Sequence, residues 1–62
     1  MSKPTKPYLY LNCARDIIEG DRDGLVTLRG AINEALRRGC GAAEVSDDHG
    51  DDLVVLVKRN GV

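Results

Sequence analysis

The run Asp47-Asp48-His49-Gly50-Asp51-Asp52 gathers more reactive side chains than any other stretch of the chain. Carboxylates beside an imidazole are credible ligands for a divalent ion. The run nevertheless lacks the alternate-position ligands and closing Glu of an EF-hand loop, and Asp and Gly are the ordinary residues of turns. The expectation is a solvated acidic loop between two strands, holding no metal and free to face a basic protein partner. His49 is the only histidine, so a general base would have to be His49 or a carboxylate shifted by burial. Nothing in the spacing pairs it with Cys13 or Cys40 as a nucleophile. A domain this small rarely encloses the dry pocket that acid–base chemistry uses. The chain is therefore expected to be no enzyme, with no catalytic residue and no cofactor.

A second set of groups suits anions. Arginine captures phosphate or carboxylate in a bidentate fork, and Arg37, Arg38 and Arg59 are the candidates for a small phosphate-bearing ligand. A helix start near Asp23 and Gly24 would offer backbone N–H groups as well, but Asp21 and Asp23 oppose an anion there. The formal charge of −1 excludes the strongly basic surface of a sequence-blind nucleic-acid binder. Tyr8 and Tyr10 are the only aromatic residues, too few for a base-stacking platform. No stretch approaches the ~20 apolar residues of a membrane span. The start MSKPTKPY has no apolar signal run, so a reducing cytoplasm and two free thiols, inert and at least half-buried, are expected.

The elements that position these groups are legible from periodicity. Residues 1–7, with two prolines and two lysines, form a flexible tail, and a single domain spans 8–62. YLYLNC alternates from Tyr8 with period 2, as a strand does. Asp16 to Glu19 either pairs back as a second strand through a bend near Ala14 and Arg15, or prolongs the first past a bulge. Asp21 or Asp23 then caps a helix over Gly24 to Arg38, whose Leu25, Leu28, Ala31, Ile32, Ala35 and Leu36 fall within an arc of roughly 140°. Gly39 is placed to end it, behind Arg37 and Arg38. Gly30, on the polar side, either lets another backbone approach or is merely tolerated. After a break through Gly41, Ala42 to Ser46 alternates weakly, and Leu53 to Lys58 reads as a strand because of its β-branched residues. The fold class is α+β: a short antiparallel sheet of three or four strands, in ββαββ or βαββ order, with one amphipathic helix on one face.

Five consecutive apolar residues, Leu53 to Val57, make the last strand apolar on both faces. One helix covers one face, and the other, joined by Tyr8 and Tyr10 or else by Leu9 and Leu11, is left as an interaction surface. A core built from 62 residues rarely supplies more than about 3–5 kcal/mol. A homodimer or higher oligomer is the expected remedy.

The stretch Glu19-Gly20-Asp21-Arg22-Asp23-Gly24-Leu25-Val26-Thr27-Leu28, a strand end passing through an acidic glycine turn into a helix, resembles the opening of a small family of bacterial polymorphic-toxin immunity proteins. The resemblance implies a non-catalytic protein that binds and neutralises a partner, with Asp47 to Asp52 as a contact surface. In size and inferred oligomeric build the chain is also similar to small phage proteins that counter host defence, some of which sequester nucleotide signals between subunits. The expected function is thus a small homo-oligomeric binding protein that sequesters or inhibits a protein target or a phosphate-bearing ligand. The competing expectation is a structural or assembly subunit that docks through its apolar sheet face.

Overall fold

Two hairpins flank one helix in the computed structural model, which describes residues 6–61. The order is β1 (Leu9–Asn12), β2 (Ile17–Gly20), α1 (Arg22–Arg38), β3 (Cys40–Ser46) and β4 (Asp52–Lys58). This is the ββαββ alternative of the expected α+β class. The segment after Asp16 is a separate strand: β1 and β2 pair antiparallel with Leu9 opposite Gly20 and Asn12 opposite Ile17. Asp16 takes a φ of 56° in the turn that joins them, a conformation Asp tolerates better than most residues. β3 and β4 pair antiparallel from Cys40 opposite Lys58 to Ser46 opposite Asp52.

The expected single sheet is instead two two-stranded sheets joined by one parallel bridge, Tyr8 to Ser46. The Ser46 N–H donates to Pro7 O at 2.7 Å, and Lys6 forms an ion pair with Asp52. Contacts thus begin two residues before the expected domain boundary at Tyr8. The rest of the expected tail, residues 1–5, lies outside the described residues.

The helix starts two residues earlier than its apolar pattern suggested, because Asp21 is its cap. The Asp21 carboxylate accepts the N–H of Gly24 at 2.7 Å and that of Tyr8 at 3.1 Å. The Asp21 N–H in turn donates to Tyr8 O at 3.2 Å. One side chain thereby satisfies a helix-opening donor and ties α1 to the start of β1. At the other end Gly39, with φ 96°, donates its N–H to Ala35 O at 2.8 Å. That left-handed residue completes the reversal alone, so no break extends through Gly41 and β3 begins at Cys40.

Two glycines set how closely the layers approach. A Cβ on Gly24 would sit 1.7 Å from Tyr8 O, and one on Gly41 would sit 2.1 Å from Ala31 O. Backbone therefore lies against backbone at both points, which only Gly permits. The helix consequently turns its small residues inward: Gly24, Ala31 and Ala35 are buried, and Leu28 packs beside them. This corrects the expectation of one buried arc. Leu25, Ile32 and Leu36, the larger residues on its other edge, are 45%, 41% and 59% exposed. A Cβ on Gly30 would meet nothing within 4 Å, so no neighbouring backbone uses that position.

Leu9, Ala31, Ala35, Ala43 and Val45 are the buried core, with Leu28, Leu53, Val55 and Val57 packed partly against it. Burial alternates along β4, with Leu53, Val55 and Val57 towards the helix and Val54 and Leu56 exposed. Both thiols are exposed, contrary to expectation. Cys13 lies beyond the end of β1, where no layer covers it, and Cys40 falls on the outward phase of β3. No helix among the described residues is long and apolar enough to cross a membrane.

Candidate functional site

The acidic loop is built around one of its own carboxylates. Asp47 Oδ1 accepts the N–H groups of His49 and Asp51, each at 2.9 Å. Its backbone O accepts from Gly50 at 3.0 Å, and its N–H donates to Asp51 O at 2.9 Å. Gly50 supplies the positive φ, 84°, that the turn requires. Asp47 is thus engaged in shaping the hairpin. Asp52 is paired with Lys6, and Asp48 lies 3.8 Å from His49 Nε2 with both side chains open to water. Among the described residues no three His, Cys, Asp or Glu side chains converge as metal ligands.

Leu9 enters the core, so Tyr8 and Tyr10 emerge on the other face of β1. The bridge to Ser46 puts Tyr8 on the face that also carries Ala42, Glu44, Val54 and Leu56. Of the two alternatives for that outer face, it is the tyrosines that join it. The Tyr8 hydroxyl is held above the usual tyrosine range, first by partial desolvation and then by Glu19, Asp48, Tyr10 and Asp47, in falling order. An un-ionised phenol amid carboxylates is a hydrogen-bond donor. This end of the outer face therefore offers donors and negative charge together.

Arg37, Arg38 and Arg59 lie at the opposite end of the β3–β4 hairpin. Arg37 Nη2 reaches Glu34 at 2.8 Å and Arg38 Nε reaches the same carboxylate at 3.1 Å. Arg59 Nη1 donates to Leu36 O at 2.9 Å, binding one of the helix's terminal carbonyls. The strand register sets Lys58 beside Cys40 at this end and Asp52 beside Ser46 at the other. The candidate residues thus divide into two groups separated by the length of a seven-residue hairpin. Tyr8, Tyr10, Asp47, Asp48, His49, Asp51 and Asp52 are at the acidic end, and the three arginines are at the basic end.

Of two open hollows, one adjoins the basic group and the other lies apart from both groups. One is lined by Glu34, Arg38, Cys40, Gly41, Ala42, Leu56 and Lys58 at the basic end. The other is lined by Leu11, Asn12, Cys13, Asp16, Ile17 and Ile18 on the β1–β2 hairpin. The exposure of Leu11, Ile17 and Ile18 escaped sequence reasoning, because alternation identifies a strand without saying whether anything packs upon it. The structure shows why it does not. Among the described residues the backbone bridge to β3 is made by Tyr8, just before β1, and Leu9 is the one residue of β1 that enters the core, so the far end of the hairpin is left uncovered.

No family model, curated protein or solved structure matches this chain.

Proposed function

We propose that this chain is a non-enzymatic, homo-oligomeric binding protein of a bacterial or phage conflict system, which acts in the cytoplasm by sequestering or inhibiting a target. The supporting observation is the distribution of apolar side chains. Among the described residues, five hydrophobic residues are buried, whereas nine large ones, from Leu11 to Leu56, are exposed. Exposed apolar side chains in that number mark a surface made for interaction, and the charges at the two ends of the β3–β4 hairpin supply orientation. The resemblance of Glu19 to Leu28 to toxin-immunity proteins supports the same class. Its matching positions are those that cap and seat α1, so it speaks to build and leaves the partner's contacts to the acidic and basic ends.

A protein target would meet the acidic end, around Tyr8, Asp48 and Asp51. A small phosphate-bearing ligand would meet Arg37, Arg38 and Arg59. A thermal-shift panel of linear and cyclic nucleotides, run beside affinity capture at low and high salt, separates the two. A ligand raises the melting temperature by mass action, while a basic protein partner is captured at low salt and released at high salt. Neither result in any condition would overturn the binding role. The structural alternative is favoured by one observation, the exposed Val54 and Leu56 on the outer face. An assembly subunit predicts an isolated chain that aggregates, whereas the binding protein predicts a discrete oligomer on size exclusion.

A further inference from the structure

We propose that the free edge of β4 pairs antiparallel with β4 of a second copy, in the one register centred on Val55, and that the two helices meet above the joined sheet. This rests on the homo-oligomeric reading above and names its surface. β4 is hydrogen-bonded to β3 on one side, and among the described residues no strand occupies the other. The bonds from Arg59 N to Gly39 O and from Asp47 N to Asp51 O fix the phase of the ladder. Odd-numbered residues of β4 point their N–H and C=O groups at β3, and Asp52, Val54, Leu56 and Lys58 point theirs outward. An edge of this length, with no proline, glycine or charge between Leu53 and Val57, is a template for another strand.

The sequence of that edge is complementary to itself. With Val55 opposite Val55 of the second copy, Val54 faces Leu56, Leu53 faces Val57, and Asp52 faces Lys58. One step further out, Asp51 faces Arg59. Every pair is apolar with apolar or acid with base, and the outward-pointing even residues meet one another, as a hydrogen-bonded antiparallel ladder requires. The division of the hairpin into an acidic and a basic end is what makes this so, because a two-fold axis through Val55 lays the basic end of one copy on the acidic end of the other.

The helix supplies a second contact. Glu34 Cβ sits over Gly41 of β3, and Leu36 O accepts from Arg59 just past β4. The right-handed winding of α1 between those points puts the exposed Leu25, Ile32 and Leu36 on the edge of the helix nearer β4. Strands spaced about 4.8 Å apart would hold the two helices roughly 10–14 Å from each other, within reach of Leu and Ile side chains. The stripe left exposed in one copy is then covered by the same stripe in the other. Leu53, Val55 and Val57, only half-covered by one helix, lie beneath that seam.

Disulfide trapping tests the register. In a chain carrying Cys13→Ser and Cys40→Ser, Val55→Cys would place two thiols on the axis in a non-hydrogen-bonded pair. The Cα separation there is about 4.5 Å, inside the disulfide range. Val54→Cys puts its thiols off the axis, each opposite Leu56 of the other copy. Mild oxidation should cross-link the first and leave the second uncross-linked. Sedimentation gives an independent check. Lys58→Glu and Asp52→Lys should each raise the dimer dissociation constant by about tenfold, and the two together should bring it back to within about threefold of the native value. A dimer that fails to cross-link at position 55, or in which the two charge changes add, overturns the register and leaves self-association standing. A native chain that stays monomeric overturns both.

Discussion

The same substitution, Gly to Ala, should act with opposite sign at two places on one helix. Alanine improves helix propensity by about 0.8–1 kcal/mol over glycine in a helix interior. At Gly30 the new methyl group meets nothing within 4 Å, so Gly30→Ala should keep that gain and raise the melting temperature by roughly 4–8 °C. At Gly24 the methyl group would lie 1.7 Å from Tyr8 O and 2.6 Å from Tyr8 C. Both are backbone atoms that no rotamer change can move. The helix must lift from β1 by more than an ångström, which breaks the Asp21 N–H to Tyr8 O bond and loosens the cap. Overpacking of this kind costs about 1–3 kcal/mol, and a lost cap adds about 1 kcal/mol. The net effect should be a destabilisation of at least about 2 kcal/mol despite the better helix former. Urea unfolding followed by far-ultraviolet circular dichroism, at one fixed protein concentration, measures both changes. A Gly24→Ala protein as stable as the native one would refute the close approach of α1 to Tyr8. A destabilised Gly30→Ala protein would show that this side of the helix is covered.

Asp21→Ala should cost about 1–2 kcal/mol in the same assay, and Asp21→Asn far less, because an amide oxygen still accepts from Gly24 and Tyr8; equal losses would contradict the capping role. In a Tyr10→Phe protein, ultraviolet titration should find Tyr8 ionising above the ordinary tyrosine value of about 10. Folding raises the pKa of this acid, so stability should fall as pH climbs from the unfolded value through the folded one, with no loss below that window. Glu19→Gln should lower the Tyr8 pKa, and a native titration that coincides with the one in urea would remove its cause. Both thiols should react with a disulfide reagent in the native protein without denaturant; a thiol that reacts only after unfolding would place Cys13 or Cys40 under cover.

The elements were legible where local chemistry decides them. The Asp and Gly punctuation around Asp21 and Gly39 bounds a helix whatever it packs against, and the valine-rich run at Val54 to Val57 has little choice but strand. The orientation of the helix was not legible, because a hydrophobic arc ranks residues by their liking for cover, whereas Gly24 and Gly41 decide which edge of the arc can come closest. The close approach selects Ala31 and Ala35 and leaves Ile32 and Leu36 outside. The sheet was misjudged for a related reason. Alternation along β1 is the same whether four residues of a neighbour pair with it or one, and only the structure limits the backbone pairing of this segment with β3 to the bridge between Tyr8 and Ser46. Of the candidate site residues, Asp47 turned out to hold its own loop, and Arg37 and Arg38 share Glu34. The sign pattern running from Asp51 and Asp52 to Lys58 and Arg59 was present in the sequence throughout. It acquires meaning only once β4 is known to be an edge.

Sedimentation velocity of the native chain across a concentration series, from about 1 to 100 μM, addresses the central claim that this domain's exposed apolar surface is made to be covered by another copy. The expected result is a concentration-dependent shift from 6.7 kDa to twice that mass. A single species of 6.7 kDa at every concentration would contradict it.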